Sequence, residues 1–286
     1  MPDYLRAALL DLLHELEVSD VRLMLGGGYG LFLKQEHLAS SDTMTLISSD
    51  RWPEARATND LDFLLRPEIV ARAEHMKTIR DALRRLDFRP VDGAEFYQFA
   101  KSLGGSLFVK IDFLAGPLGE HEDPSRVKID ARRVKPKPSV GLHAHRTDEA
   151  VAYELEPIAV PIRGTRSTGE AAACDVLIPQ AFTYLMMKLF AFRDRRDDQD
   201  KEFARHHALD LYRIVAMLTE TEDQTVRKLA ARHRDNEQVR EGCTIVSSLF
   251  DEPTALGVLR MREHALFTDR LDVRHFLNVL HEIFPK

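Results

Sequence analysis

The hydrophobic pattern changes period at Pro179, and that change limits the architectures open to this 286-residue chain. Before Pro179, apolar residues come in short runs of four or five, the length of buried strands, set between stretches of helical periodicity. After it the pattern is helical throughout. The expectation is an α/β (α+β) chain, with an N-terminal α/β domain over 1–170 and a helical domain over 171–286.

Within the first part, leucines at 5, 9, 12, 13 and 16 predict an amphipathic helix over 3–17. Residues 21–25 read as a buried strand that meets the turn Gly26-Gly27-Gly28, with a helix over 29–37. Residues 39–59 are polar and turn-rich, with a short strand expected at 44–47. A strand at 61–65 stops before Pro67, and 68–87 has helical periodicity. Residues 94–101 and 106–114 read as two strands joined at Gly104-Gly105, and further strands are expected at 158–162 and 175–178. Pro179 suits the first turn of a helix. Helical patterns follow over 180–193, 203–219, 223–249, 253–266 and 272–284.

No run of about eighteen apolar residues exists, so no membrane span is expected. The first twenty residues are amphipathic and carry acids, unlike a secretory signal. The two cysteines, Cys174 and Cys243, lack metal-ligand spacing, and a reducing cytoplasm is the expected compartment. A net charge of -6 argues against a generic nucleic-acid coat. One segment runs against that charge: 126–137 carries Arg126, Lys128, Arg132, Arg133, Lys135 and Lys137. It reads either as a solvated loop or as a local grip on RNA.

Chemistry is most concentrated in Thr58-Asn59-Asp60-Leu61-Asp62-Phe63. On a strand Asp60 and Asp62 leave one face while Leu61 and Phe63 enter the core. Two adjacent carboxylates repel unless a cation lies between them, and Mg²⁺, with triphosphate oxygens completing its shell, answers that need. Asp112, inside the apolar run Val109-Lys110-Ile111-Asp112-Phe113-Leu114, is a candidate third carboxylate, as metal ligand or base. The alternative is an acid at the solvent-facing position of an edge strand, with Lys110 as its neighbour on that face. Gly27 and Gly28 permit close approach of phosphate to the start of the next helix. The cluster matches neither the dinucleotide fingerprint nor the P-loop. Paired histidines such as His206-His207 lack zinc-site spacing and read as surface or core residues.

The order of these pieces resembles the polymerase-β-type nucleotidyltransferase superfamily, and within it the AbiEii-type toxin group. The likeness rests on Gly27-Gly28-Tyr29-Gly30-Leu31, on Arg56-Ala57-Thr58-Asn59-Asp60-Leu61-Asp62, on Lys188 in its apolar helix, and on His207-Ala208-Leu209-Asp210-Leu211-Tyr212-Arg213. It covers roughly 20–215. Two positions depart from the pattern: Gly28 stands where many members have serine, and Arg213 replaces a second aspartate. The resemblance implies a nucleotidyltransferase mixed sheet with flanking helices. It further implies a Mg²⁺-dependent enzyme that moves a nucleoside monophosphate from a nucleoside triphosphate to an acceptor hydroxyl. In a toxin of a toxin–antitoxin pair the acceptor is tRNA and a cognate antitoxin protein is a partner. A small-molecule, aminoglycoside-like acceptor and a non-catalytic nucleotide-binding module are the alternatives. Lys188, in an otherwise apolar helix, suits either a cation for the triphosphate or a lysine whose stem covers core surface, and Asp210 suits its orienting carboxylate, a base, or a buried carboxylate paired with Arg205 or Arg213. Arg56 suits a phosphate clamp, and Thr58 either a phosphate contact or a group that satisfies the strand backbone.

Overall fold

The computed structural model describes residues 3–55 and 58–286. Leucines at helical spacing form α1 (Asp3–Leu16), whose Leu5, Leu9, Leu12 and Leu16 are buried. β1 (Met24–Leu25) lasts only two residues, because the glycines after it turn the chain directly into α2 (Gly27–Ala39). β2 (Asp60–Leu64) follows, then α3 (Pro67–Val70) and α4 (Ala73–Arg85). In α4 the buried Met76, Ile79, Ala82 and Leu83 recur every three or four residues. Glu74 in its first turn and Arg84 and Arg85 in its last suit the helix dipole. β3 (Arg89–Pro90), β4 (Gln98–Gly104) and β5 (Leu107–Ala115) come next. β4 and β5 form the hairpin expected at Gly104-Gly105. Then come β6 (Val127–Ile129), β7 (Arg133–Pro136), β8 (Ala144–Arg146), β9 (Ile158–Thr165) and β10 (Ala171–Ile178).

These strands build one mixed sheet in the order β6-β7-β8-β5-β2-β1-β10-β9, with β4 also on β5 and β3 on β4. β2 and β5 are parallel, while β1 runs antiparallel to β2 and parallel to β10. Alternation sorts each central strand. Leu61, Phe63, Val109, Ile111 and Phe113 are fully buried on one side, where Phe63 and Phe113 stack at 5.9 Å. α1 packs against α4 and against β2, β5, β9 and β10. The opposite side of β2 and β5 carries Asp60, Asp62, Lys110 and Asp112.

Three expectations change. The sheet extends through 171–178, so the boundary expected at 170 moves to Pro179. The run Ala171-Ala172-Ala173-Cys174 is too small-sided to read as a strand, yet it pairs residue for residue with β9. Residues 44–47 form no strand; the amides of Leu46 and Ile47 instead donate to the carbonyls of Leu218 and Ala216. They satisfy acceptors that the end of a helix leaves open. The basic segment 126–137 is a β-hairpin rather than a loop, with Lys128 opposite Lys135.

The chain divides into two compact units. The sheet unit holds 3–34, 58–148 and 153–179, and the helical unit holds 35–55, 149–152 and 180–286. The helical unit contains α5 (Ala181–Arg195), α6 (Arg205–Ala216), α7 (Glu220–Arg232), α8 (Glu237–Leu249), α9 (Leu256–Arg262) and α10 (Val273–Ile283). Gln180, rather than Pro179, caps α5: its side chain accepts from the amides of Phe182 and Thr183. α5 is buried on nearly every side, which its length of continuous apolar sequence requires. It packs against α6, α7 and α8, and α6 packs against α9 and α10. Among the described residues no helix is long and apolar enough to cross a membrane, and Cys174 and Cys243 are free thiols.

Candidate active site

The expected site residues fall into two clusters, one in each unit. In the sheet unit, Asp62 and Asp112 are register partners on parallel neighbours β2 and β5, and Asp60 is the partner of Lys110. All four therefore leave the same face. The Lys110 ammonium lies 3.1 Å from Asp112 Oδ2 and 3.6 Å from Asp60 Oδ1. Burial alone would lower the pKa of Lys110. The pull of Asp112 and then Asp60 overrides it and leaves the pKa raised. Burial holds Asp112 above the usual carboxylate value, against the opposing influence of Lys110. Its Oδ1 is buried and meets no hydrogen-bond partner among the described residues.

Asp62 points toward the glycine turn. The Gly26 amide donates to the Asp62 carbonyl at 2.6 Å, which sets the turn directly beside β2. Gly27 has φ +61°, and a Cβ there would lie 1.8 Å from Asp62 Oδ2. Glycine is thus required twice, for its conformation and for the space the carboxylate fills. α2 starts at this point, so its positive end favours negative charge beside Gly27 and Gly28. Thr58 adopts the backbone role: the Asp60 amide donates to its Oγ1 at 3.2 Å. Arg56 lies outside the described residues.

Three carboxylates and one ammonium carry a formal charge of -2 when all are ionised, which a divalent cation neutralises. Among the described residues no group of three His, Cys, Asp or Glu side chains is arranged to hold a metal. Lys110 accounts for this at Asp112, whose bonded oxygen it occupies; Lys110 is the neighbour that the alternative named, but β5 is a central strand and the Asp112 side chain is only 14% exposed, so it is no solvent-facing acid of an edge strand. The Asp60–Asp62 pair still fits Mg²⁺, which is commonly held by one or two carboxylates with phosphate oxygens and water completing the shell. The unpartnered oxygen of Asp112 is a further acceptor on that face.

In the helical unit, Lys188 Nζ lies 2.7 Å from Asp210 Oδ2, and Arg213 Nη1 lies 3.1 Å from Asp210 Oδ1. The Arg213 guanidinium also donates to Gln35 Oε1 at 2.7 and 3.2 Å. Lys188 is 6% exposed, while Asp210 and Arg213 are 1% exposed. Asp210 therefore contacts both Lys188 and Arg213, the second being the pairing of a buried structural carboxylate. Arg205, the other expected partner, pairs with Glu263 instead. His207 is a core histidine. Burial, then the charge of Lys188, drives its pKa well below the ordinary value, and its Nε2 lies 2.7 Å from Arg195 Nη1. Two contacts lie outside the sequence expectations: the reach of Lys110 to Asp60 and the tie from Arg213 to Gln35. The first had a signal in the alternation of Lys110 with Asp112, but the second had none.

A comparison with protein-family models finds no match, and comparisons with curated proteins and with solved structures also find none.

Proposed function

We propose that this protein is a Mg²⁺-dependent nucleotidyltransferase that transfers a nucleoside monophosphate from a nucleoside triphosphate to an acceptor hydroxyl. The observation that carries the reading is the pair Asp60 and Asp62 on one face of β2, beside the glycine turn that opens α2 and level with Asp112. Asp60 and Asp62 would hold Mg²⁺, which would supply Lewis-acid neutralisation of a triphosphate. The first amides of α2 receive phosphate oxygens, which requires the bare backbone of Gly27 and Gly28. Asp112, with one oxygen bound to Lys110 and one unpartnered, accepts the proton of the acceptor hydroxyl. In the helical unit, Lys188 is a positioned ammonium, held 2.7 Å from Asp210. The acceptor is RNA, with tRNA the first choice, and the chain acts as a toxin restrained by a cognate antitoxin protein.

A second reading, a nucleotide-binding module without turnover, has one observation in its favour. Lys110 and Arg213 already satisfy acids of both clusters, so neither cluster needs a ligand to be stable. Transfer of label from α-labelled ATP, CTP, GTP and UTP to total tRNA, with magnesium, separates the two. The transferase reading requires labelled RNA and at least a hundredfold loss in Asp60→Asn, whose side chain is 41% exposed and whose replacement leaves the core intact. Saturable triphosphate binding with no label in RNA or in any small acceptor refutes it in favour of the module.

A further inference from the structure

The β6–β7 hairpin is held to the sheet by one face and leaves the other face charged. Val127, Val134 and Pro136 are buried, so Arg126, Lys128, Arg133, Lys135 and Lys137 alternate to the opposite side. Residues 126–137 contain six cations against Asp130, a formal +5 in a chain of -6. Asp130 is occupied within the hairpin: it accepts from the amides of Arg132 and Arg133 and lies 3.9 Å from the Arg133 guanidinium. Arg126, Lys128, Arg132 and Lys135 form no ion pair among the described residues. Lys128 and Lys135 stand directly opposite each other, an arrangement that costs stability unless an anion lies over it.

Register fixes which way this face looks. Arg133 pairs with His145, His145 with Leu114, and Leu114 lies two residues from Asp112 on β5. Side chains paired across strands share a face, so the cations share the sheet face of Asp60, Asp62 and Asp112. Three strand spacings separate β7 from β2, about 14 Å. A single nucleic-acid strand covers that distance in roughly four nucleotide steps. Beside the hairpin lies an open cleft of about 410 Å³ lined by Phe96, Tyr97, Arg132 and Arg133. Phe96 is 38% exposed, is stacked on His143 at 4.5 Å, and lies 5.2 Å from the Arg133 guanidinium. Aromatic and guanidinium planes beside a row of cations suit unpaired bases joined by phosphates.

We propose that the β6–β7 hairpin, with the Phe96 cleft, grips a single-stranded segment of RNA and leads it across the sheet toward Asp60 and Asp62. The grip itself stands on charge and register, and only its catalytic consequence rests on the transferase reading. The test is fluorescence anisotropy of labelled total tRNA across a salt series, comparing the intact chain, Lys128→Gln/Lys135→Gln and Asp60→Asn. Removing two phosphate contacts is expected to weaken binding at least tenfold and to reduce the slope of log K against log salt by about 1.4. Asp60→Asn is expected to bind RNA at least as well as the intact chain. The double variant relieves a like-charge pair, so its melting temperature should hold or rise, which separates lost binding from lost fold. Unchanged affinity and slope in the double variant overturn the proposal. So does tighter binding to phosphatidylserine vesicles or to polyglutamate than to tRNA. RNA binding lost with Lys128 and Lys135, in a chain that transfers no nucleotide, keeps the grip and removes the transferase. Transfer to RNA with unchanged kcat/KM in the double variant does the reverse.

Discussion

Replacing Asp210 with asparagine keeps the volume of the side chain and removes the carboxylate that contacts both Lys188 and Arg213. At an effective dielectric of about 20, unit charges at 2.7 and 3.1 Å attract by about 6 and 5 kcal/mol. Desolvation of three buried ions offsets most of that in the intact protein. In Asp210→Asn the desolvation remains, these two attractions are gone, and Lys188 and Arg213 stay at 6% and 1% exposure. The expected loss is about 3–5 kcal/mol. Lys188→Met should cost at least about 2 kcal/mol less, because it leaves Asp210 and Arg213 as a matched pair tied to Gln35. Trp52, the chain's one tryptophan, belongs to the same unit as the network, so urea unfolding followed by its fluorescence reports on the right part of the molecule. With an m-value near 2 kcal/mol/M the midpoint should fall by about 1.5–2.5 M in Asp210→Asn. A deficit below about 1 kcal/mol, or equal deficits in the two variants, would refute the account of Asp210 as the shared counter-ion.

Gly27→Ala meets both a left-handed backbone and the Asp62 carboxylate 1.8 Å from its Cβ, and should lose about 2–4 kcal/mol in urea unfolding; a neutral result would mean that the turn is not built this way. Lys110→Met removes the ammonium from Asp60 and Asp112, so Mg²⁺ should bind about tenfold more tightly by calorimetry, whereas weaker binding would contradict Lys110 as competitor for that charge. Burial, then Lys135 and Arg133, lowers the pKa of His143 to about 4, so between pH 6.5 and 4 the unfolded chain binds the extra proton and stability falls as pH falls. His145 and His207 are shifted down as well, so the part of the slope that His143→Gln removes, and not the whole slope, should stay within about 1.4 kcal/mol per pH unit; a slope unchanged in His143→Gln would refute the shift.

Much of the frame can be read from the sequence because the relevant signals are local. α1, β2, the β4–β5 hairpin and α5 each declare themselves by period, and Asp60 and Asp62 must share a face once β2 is a strand. The misread pieces depend on distant partners. β6, β7 and β8 are three or four residues long and rich in lysine, arginine and proline, so only pairing makes them strands. β10 begins with three alanines and is defined by β9. Arg213, a departure from the expected motif, is a buried counter-cation because Gln35, 178 residues away, accepts from its other nitrogens. No spacing rule reaches that far.

β1 has a consequence of another kind, in time rather than in space. Its two residues join β2 on one edge and β10 on the other, and the second junction, Met24 with Leu177, waits for residues made much later. At about 5–20 residues per second a ribosome needs roughly 8–30 s to cover that interval. Through that interval the nascent chain can assemble the strands from β2 to β8 while one edge of β1, apolar and hydrogen-bond hungry, stays open. Closing it falls to the β9–β10 hairpin, which is the last part of the sheet to be synthesised. A chain interrupted before 171 would therefore keep its acidic residues and basic hairpin but expose a raw sheet edge, a template for aggregation.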